Sequence, residues 1–377
     1  MIWSIVPVHA QDPSVNTLDL YRTGAPVNCT FTAIDRNDSL LVYALVEFTE
    51  SISESVWISH SWFLSGKEVL DSVMVSTNSR SKVIQWSFSQ DQVPALITLS
   101  LDWKARSWTY QEHFPMNAFH TSGGVWLWRS GLPQMKPWIN LGDSIQVVAP
   151  DRENIYVYYY GHPFEPARPP MTVNPGKNSG SLSIDSILIL KPGTHYKPAS
   201  IGLYFFQGDS TTTEGTSLVV ADESFPQPRK ISDLTEPLIY ITTRNEFRKL
   251  KEDLSNKQAF DKFWLSTLGS ADKAREAIRR FYQNAEETNV LFTSYKEGWK
   301  TDRGMIYTVI GPPLSIVKDH DTETWIYRGL SGDDELSFVF KKVRNIFSNN
   351  HYELFRNKAY DRTWFLAIDR WRKGQIR

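Results

Sequence analysis

Asp302, Arg303, Asp319 and Glu323 would bring a pair of carboxylates beside a guanidinium if the chain folded them together. Folded onto one wall, two of these carboxylates could divide the roles of general acid and general base, with the guanidinium steadying negative charge as it develops. Asp319, Asp321 and Glu323 also alternate like the opening of a calcium loop. Such a loop needs glycine at its sixth position and glutamate at its twelfth, and Thr324 and Leu330 stand there, so a hairpin tip is the simpler reading. None of the eight histidines shows a metal-ligand spacing. Nucleophile elbows, phosphate-binding loops and dinucleotide glycine runs are absent. The single cysteine, Cys29, excludes an intramolecular disulfide and any cysteine-based zinc site. Neither a metal nor a cofactor is expected.

These residues must be positioned by the densest stretch of the sequence, Gly298-Trp299-Lys300-Thr301-Asp302-Arg303-Gly304. The two glycines suit backbone positions barred to a Cβ, and Trp299 supplies a large ring for burial, worth about 1.5–3 kcal/mol. Asp302 can cap the turn while Arg303 forks onto a carboxylate. Helices are expected before this stretch. Thr243 to Glu246 and Ser255 to Gln258 have capping-box spacing, Gly269 is placed to stop the second helix, and Ser270 to start a third. Ala274, Ile278, Phe281 and Ala285 form one apolar stripe along that third helix. After the stretch, Met305–Ile310 reads as a strand, followed by the Gly311-Pro312-Pro313 turn and by strands at 315–318, 323–327 and 336–340. A terminal helix is expected over 360–371. The whole of 243–377 reads as an α+β domain, a helical hairpin packed on an antiparallel meander.

Upstream, residues 14–112 alternate apolar and polar in short runs punctuated by turns, the pattern of a β-sandwich of immunoglobulin-like size. Residues 113–225 repeat that pattern and read as a second sandwich. Within it, Tyr156, Tyr158 and Tyr160 fall on one face of a strand, where they can stack on a ligand or pack across strands. A Pro-rich junction over 226–242 reads as a stiff linker open to proteolysis. The fold class is therefore multidomain and mainly β, with two sandwiches ahead of the α+β domain.

Residues 1–10 end in Val8-His9-Ala10, small or compact side chains at the positions a signal peptidase reads, so an exported protein with Gln11 as its mature end is expected. No run approaches the roughly 18 apolar residues of a transmembrane helix. The net charge of −1 hides an asymmetry. Residues 1–242 carry 16 Lys and Arg against 23 Asp and Glu, and residues 243–377 carry 25 against 19. With no net positive charge overall, a nucleic-acid partner is not indicated.

Phe263-Trp264 on a helix, then Gly298, Trp299, Thr301, Asp302, Arg303 and Gly304, then Tyr307 with Gly311, Pro312 and Pro313, then Trp325 and Tyr327 make a long ordered set. Over residues 243–345 this set resembles the GWxTD domain, a bacterial family named for the motif. Leu268-Gly269-Ser270 stands where the family usually has Arg-Asp-Pro. The resemblance implies a bacterial envelope protein with strand-rich segments ahead of the domain, and brings no catalytic activity with it. The expected function is a non-catalytic periplasmic or outer-membrane-associated scaffold that partners other envelope proteins. The alternative is an envelope hydrolase using carboxylates near the motif.

Overall fold

The computed structural model describes residues 15–16, 21, 27–36, 39–49, 56–64, 67–75, 80–94, 96–103, 108–115, 122–173, 182–252, 256–319, 321–329 and 335–375. The expected signal sequence at 1–10, the proposed cap Ser255 and Leu330 lie outside them.

Alternation in the sequence builds the first sandwich. After a two-residue strand, Val15–Asn16 (β1), come Val27–Asp35 (β2), Ser39–Phe48 (β3), Val56–Leu64 (β4), Lys67–Val75 (β5), Ser81–Ser89 (β6), Leu96–Trp103 (β7) and Trp108–Pro115 (β8). They pair as β2-β3-β6 and β5-β4-β7-β8, antiparallel throughout. Every second residue points inward: Val42, Ala44, Val46 and Phe48 of β3 meet Ile84, Trp86 and Phe88 of β6 and Ile97, Leu99, Leu101 and Trp103 of β7. The other face of β3 is apolar too, because Leu41 and Tyr43 pack with Ile34 against Trp126 of the next domain. That second contact explains the unbroken apolar run in β3.

The second sandwich comprises Trp126–Arg129 (β9), Leu132–Pro133 (β10), Trp138–Asn140 (β11), Ile145–Val148 (β12), Ile155–Tyr160 (β13), Ser186–Leu190 (β14), His195–Tyr196 (β15), Gly202–Gln207 (β16) and Thr216–Ala221 (β17). One sheet runs β10-β9-β12-β15 and the other β11-β17-β16-β13-β14, with β11 parallel to β17. Ile155 and Val157 point into its core with Val147, Tyr204, Phe206 and Leu218. The alternate tyrosines of β13 point the other way. Tyr160 and Tyr158 join Leu203, Phe205 and Val219 in a cluster completed by Tyr295 and Phe347 of the last domain. Tyr160 and Phe347 meet edge to face at 5.4 Å, as do Phe205 and Phe347 at 5.2 Å. Tyr158 and Tyr160 of the aromatic ladder are thus packing between domains.

Among the described residues the last domain has six α-helices, Ile231–Thr235 (α1), Arg244–Lys251 (α2), Lys257–Leu268 (α3), Ala271–Phe292 (α4), Asp302–Ile310 (α5) and Tyr360–Lys373 (α6). Its meander is Ser315–Lys318 (β18), Thr322–Arg328 (β19), Glu335–Lys342 (β20) and Tyr352–Leu354 (β21). The capping box at Thr243 and Glu246 is formed in both directions. The α3 cap is Asn256, whose Oδ1 accepts the Ala259 N–H at 3.0 Å. Gly269 closes α3 in the left-handed conformation at φ 67°. Ala274, Phe281 and Ala285 of the apolar stripe are fully buried.

Three expectations are corrected here. Met305–Ile310 is helical, since Thr301 accepts the Gly304 N–H and starts α5. Residues 302–309 are all buried, so the run carries no amphipathic period to mark it as a helix. Val15–Asn16, assigned by position to the first sandwich, instead pairs with Lys318 and Val317 as the outer strand of the last sheet, β1-β18-β19-β20-β21. The Pro-rich junction is not an open linker. Leu238, Tyr240 and Ile241 are buried in the last domain's core, and Asn289 Nδ2 donates to the Pro226 carbonyl at 3.0 Å.

Candidate functional site

The motif turns tightly because its glycines touch backbone. A Cβ on Gly298 would sit 1.7 Å from the Thr288 carbonyl oxygen of α4, and one on Gly304 would sit 1.9 Å from the Gly298 carbonyl oxygen. Gly298 N–H donates to Thr293 Oγ1 at 3.0 Å, and Trp299 N–H to Asn289 Oδ1 at 3.3 Å. Thr301 both accepts from Gly304 N–H at 3.0 Å and donates to the Gly298 carbonyl at 2.7 Å. Trp299 is buried, its carbonyl accepts the Tyr240 hydroxyl at 2.9 Å, and the Lys300 ammonium lies 5.3 Å above its ring.

Asp302 and Arg303 leave the turn in different directions. Asp302 accepts the Leu354 N–H at 2.7 Å and a two-pronged bond from Arg356 at 2.5 and 3.0 Å. Arg303, 2% exposed, donates to both carboxylate oxygens of Glu323 at 3.2 and 3.3 Å and to Asn350 at 2.5 and 3.0 Å. Its guanidinium is sandwiched between the Phe292 and Tyr352 rings, 5.0 and 4.1 Å from their centroids. Glu323, 1% exposed, also accepts from Tyr21 and from Trp325 Nε1, each at 3.2 Å. Burial alone would raise the Glu323 pKa. The Arg303 and Lys318 charges and those hydrogen bonds outweigh it and hold the carboxyl below the usual range. Burial would lower the Arg303 pKa, but Glu323 keeps it raised.

Of the four residues proposed for acid–base work, the structure joins Arg303 to Glu323 and gives Asp302 a different arginine. Asp319 lies at the β18–β19 tip, where its N–H donates to the Thr322 carbonyl at 2.9 Å, a hairpin end. No group of three or more His, Cys, Asp or Glu suited to a metal occurs among the described residues. Tyr307 donates to Glu287 at 2.6 Å, Gly311 ends α5 at φ 95° and accepts the Tyr327 hydroxyl at 3.0 Å, and Pro313 and Trp325 are buried. Pro312 is half-buried beside them.

Sequence reasoning missed the partners. Asn350, Tyr352, Leu354 and Arg356 follow the region of resemblance, and Tyr21 precedes it by more than two hundred residues. An arginine four residues before the terminal helix was a weak signal for Arg356, and Tyr21 offered none. The first sandwich also reaches this site. Glu112 of β8 is buried under the Tyr110 hydroxyl at 2.5 Å. Burial raises its pKa, with Lys318 and the Tyr110 bond pulling the other way.

Beside the motif lies a cleft of 390 Å³ between the second sandwich and the last domain, walled by Phe164, Phe225, Pro226, Tyr295, Lys296 and Trp299. Lys296 donates to the Glu165 carbonyl at 3.0 Å, and burial pushes its pKa down to about 8, against the opposing charge of Asp302. The loop leading from β13 is pinned to the motif here. Ala167 N–H donates to the Lys300 carbonyl at 2.9 Å, and Asn357 N–H to the Pro170 carbonyl at 3.2 Å.

Fold and site together define a strand-rich multidomain protein whose last domain closes around a Gly-Trp-x-Thr-Asp turn. Residues 202–373 match the family model of the GWxTD domain, so the chain carries a GWxTD domain. The match starts at β16, earlier than the expected 243, and ends within α6, beyond the expected 345. It thereby takes in the strands that pack on Phe347. No curated protein matches the chain. Among solved structures, a calcium binding mutant of Bacteroides uniformis beta-glucuronidase 2 aligns at 9% identity and a TM-score of 0.16, over 30% of this chain and 15% of its own. A likeness that slight carries no argument about fold or activity.

Proposed function

We propose that this protein is a non-catalytic scaffold of a bacterial cell envelope complex, exported and held at the periplasmic face or outer-membrane periphery by other envelope proteins. The two sandwiches are read as immunoglobulin-like spacer or binding modules. The observation that supports this most is the state of the motif's charges: Asp302 is held by Arg356, and Arg303 by Glu323 and Asn350. A general acid or base must be able to trade its proton with a substrate, and a buried carboxylate gripped by an arginine is a poor candidate. Of the carboxylates the hydrolase alternative named, Asp302 and Glu323 are gripped in this way, and Asp319 lies apart at the β18–β19 tip. No helix among the described residues is long and apolar enough to cross a membrane, which fits attachment through partners.

The test is in-cell cross-linking of the tagged full chain, followed by fractionation and hydrolase assays on envelope glycans and peptides. The expected result is envelope fractionation, cross-links to membrane-associated proteins and no turnover. Turnover that Asp302→Asn abolishes without shifting the urea midpoint would establish the hydrolase instead, and a cytosolic protein would end the envelope reading.

A further inference from the structure

The strand β14 is the outer strand of its sheet, and among the described residues no strand pairs with its free edge. Its burial pattern is unusual for a sandwich strand, because both faces are open. Ile187 and Ile189 are each 58% exposed on one face, and Leu188 is 42% exposed on the other. Leu182, Ile184 and Ile201 are exposed nearby. Edge strands are ordinarily protected by charge, proline or a bulge, since their unpaired backbone groups template another strand. Ser186–Leu190 contains none of these protections.

The charges flanking the strand are arranged in a particular way. Two antiparallel copies related by a two-fold axis must pair residues whose positions sum to an even number, because directly opposed side chains share a face. With Leu188 opposite its own copy, Ile187 meets Ile189, Ser186 meets Leu190, and Asp185 meets Lys191. By period two, Asp185, Ile187, Ile189 and Lys191 lie on one face. The seam would then hold four isoleucines flanked at each end by an Asp–Lys pair, with the two Leu188 side chains meeting on the reverse. Shifting the axis to Ile187 sets Asp185 against Ile189, and shifting it to Ile189 sets Lys191 against Ile187. Only the Leu188 register matches both charge and apolar surface.

We propose that β14 is a self-association edge, and that two copies of this chain join through it into one continuous antiparallel sheet. The occupant is a second copy because the sequence from Asp185 to Lys191 is complementary to its own reversal. The inference holds whether or not the envelope reading does. Both charges have capacity left for the pairing. Among the described residues Asp185 accepts the Gly161 N–H at 2.6 Å with His162 at 3.6 Å, and Lys191 donates to Asn154 Oδ1 at 2.9 Å and the Glu153 carbonyl at 3.3 Å. A carboxylate offers about four acceptor sites and an ammonium three donors.

Sedimentation equilibrium of the full chain tests this across a concentration series, with circular dichroism to confirm folding. Wild type should dimerise and Ile187→Lys should be monomeric. Asp185→Lys places lysine opposite lysine at both ends and should weaken the dimer about tenfold. Adding Lys191→Asp restores complementarity and should recover most of that loss. A folded wild type that stays monomeric throughout the series overturns the proposal, as does a dimer indifferent to Ile187→Lys. A monomer that cross-links through residue 188 to a different protein would assign the edge to that partner and also overturn self-association.

Discussion

In the first sandwich, Val42, Ala44 and Val46 meet Ile84, Ile97, Leu99 and Leu101 in an apolar cluster. In the last domain, Trp325, Phe292 and Phe340 share their interior with Arg303 and Glu323. The first kind of core is non-directional, so a lost methyl costs its own burial plus the small cavity it leaves, and strands no partner. The second is a network in which each polar group satisfies another, and removing one member leaves its partner buried and unsatisfied. The difference predicts graded tolerance to substitution in the sandwich and steep losses around the motif.

The sharpest way to break that comparison is Arg303→Ala. Glu323 would lose its principal partner while 1% exposed, and the full chain should lose about 3–5 kcal/mol in urea unfolding followed by tryptophan fluorescence. A loss within the range of a single surface contact would show that the network carries little of the domain's stability. Adding Glu323→Gln should recover part of the loss, because the buried charge is then gone. Trp299→Ala should cost about 3 kcal/mol, the lower end for a buried tryptophan, since its ring borders an open cleft. Full-length protein is needed for both measurements, because Tyr21 and residues 238–241 belong to the same core.

On the sandwich side, Ile58→Val in β4 should cost only about 0.5–1.5 kcal/mol despite complete burial. A cost matching Trp299→Ala would erase the contrast. The smallest effect expected is at the domain's rim. Glu246 is held down to about 2 by Arg372, with burial opposing and the Thr243 cap assisting. Its folded pKa lies below its ordinary value, so its contribution is present above pH 4.5 and is lost as pH falls through about 2. Both partners are about one-third exposed, and solvent screening limits the pair to less than about 1 kcal/mol. Glu246→Gln should therefore lower the urea midpoint slightly at pH 7 and leave it unchanged near pH 2.

The same contrast governs what the sequence reveals. Strands β6 and β7 were legible because each turns a period-two apolar face to one core, a property local to each strand, and β3 was legible as a continuous apolar run. The capping box at Thr243 and the glycine stop at Gly269 were legible for the same reason. Helix α5 was not, because it is buried on all sides and its Met-Ile-Tyr-Thr-Val-Ile run has the composition of a strand. The roles of the motif's glycines followed from residue type. The cap expected of Asp302 is instead supplied by Thr301, which accepts the Gly304 N–H, while Asp302 turns to Leu354 and Arg356. The assignment of Asp302 to Arg356 and of Arg303 to Glu323 did not follow from type, because an ion pair leaves no periodic trace in either partner's neighbourhood. Tyr158 and Tyr160 show the limit from the other side. Period-two geometry placed them on one face, but only the structure shows Phe347 and Tyr295 covering it.

The pairing of Val15–Asn16 with β18, and of Tyr21 with Glu323 and Arg303, means that the last domain is discontinuous along the chain. Both sandwiches are in effect an insertion between its first strand and the rest of it. During synthesis β1 emerges from the ribosome long before β18 exists, so it must wait unpaired while both sandwiches form. Contacts of such long sequence separation form late in folding. The expected order of assembly follows: in a chain that folds as it is made, the first sandwich should close first and the motif's core only once Arg356 and α6 are available. Nascent chains stalled at residue 240 should show a protease-resistant first sandwich with residues 15–21 still open to cleavage. Protection of those residues at that length would mean that β1 has another partner while it waits.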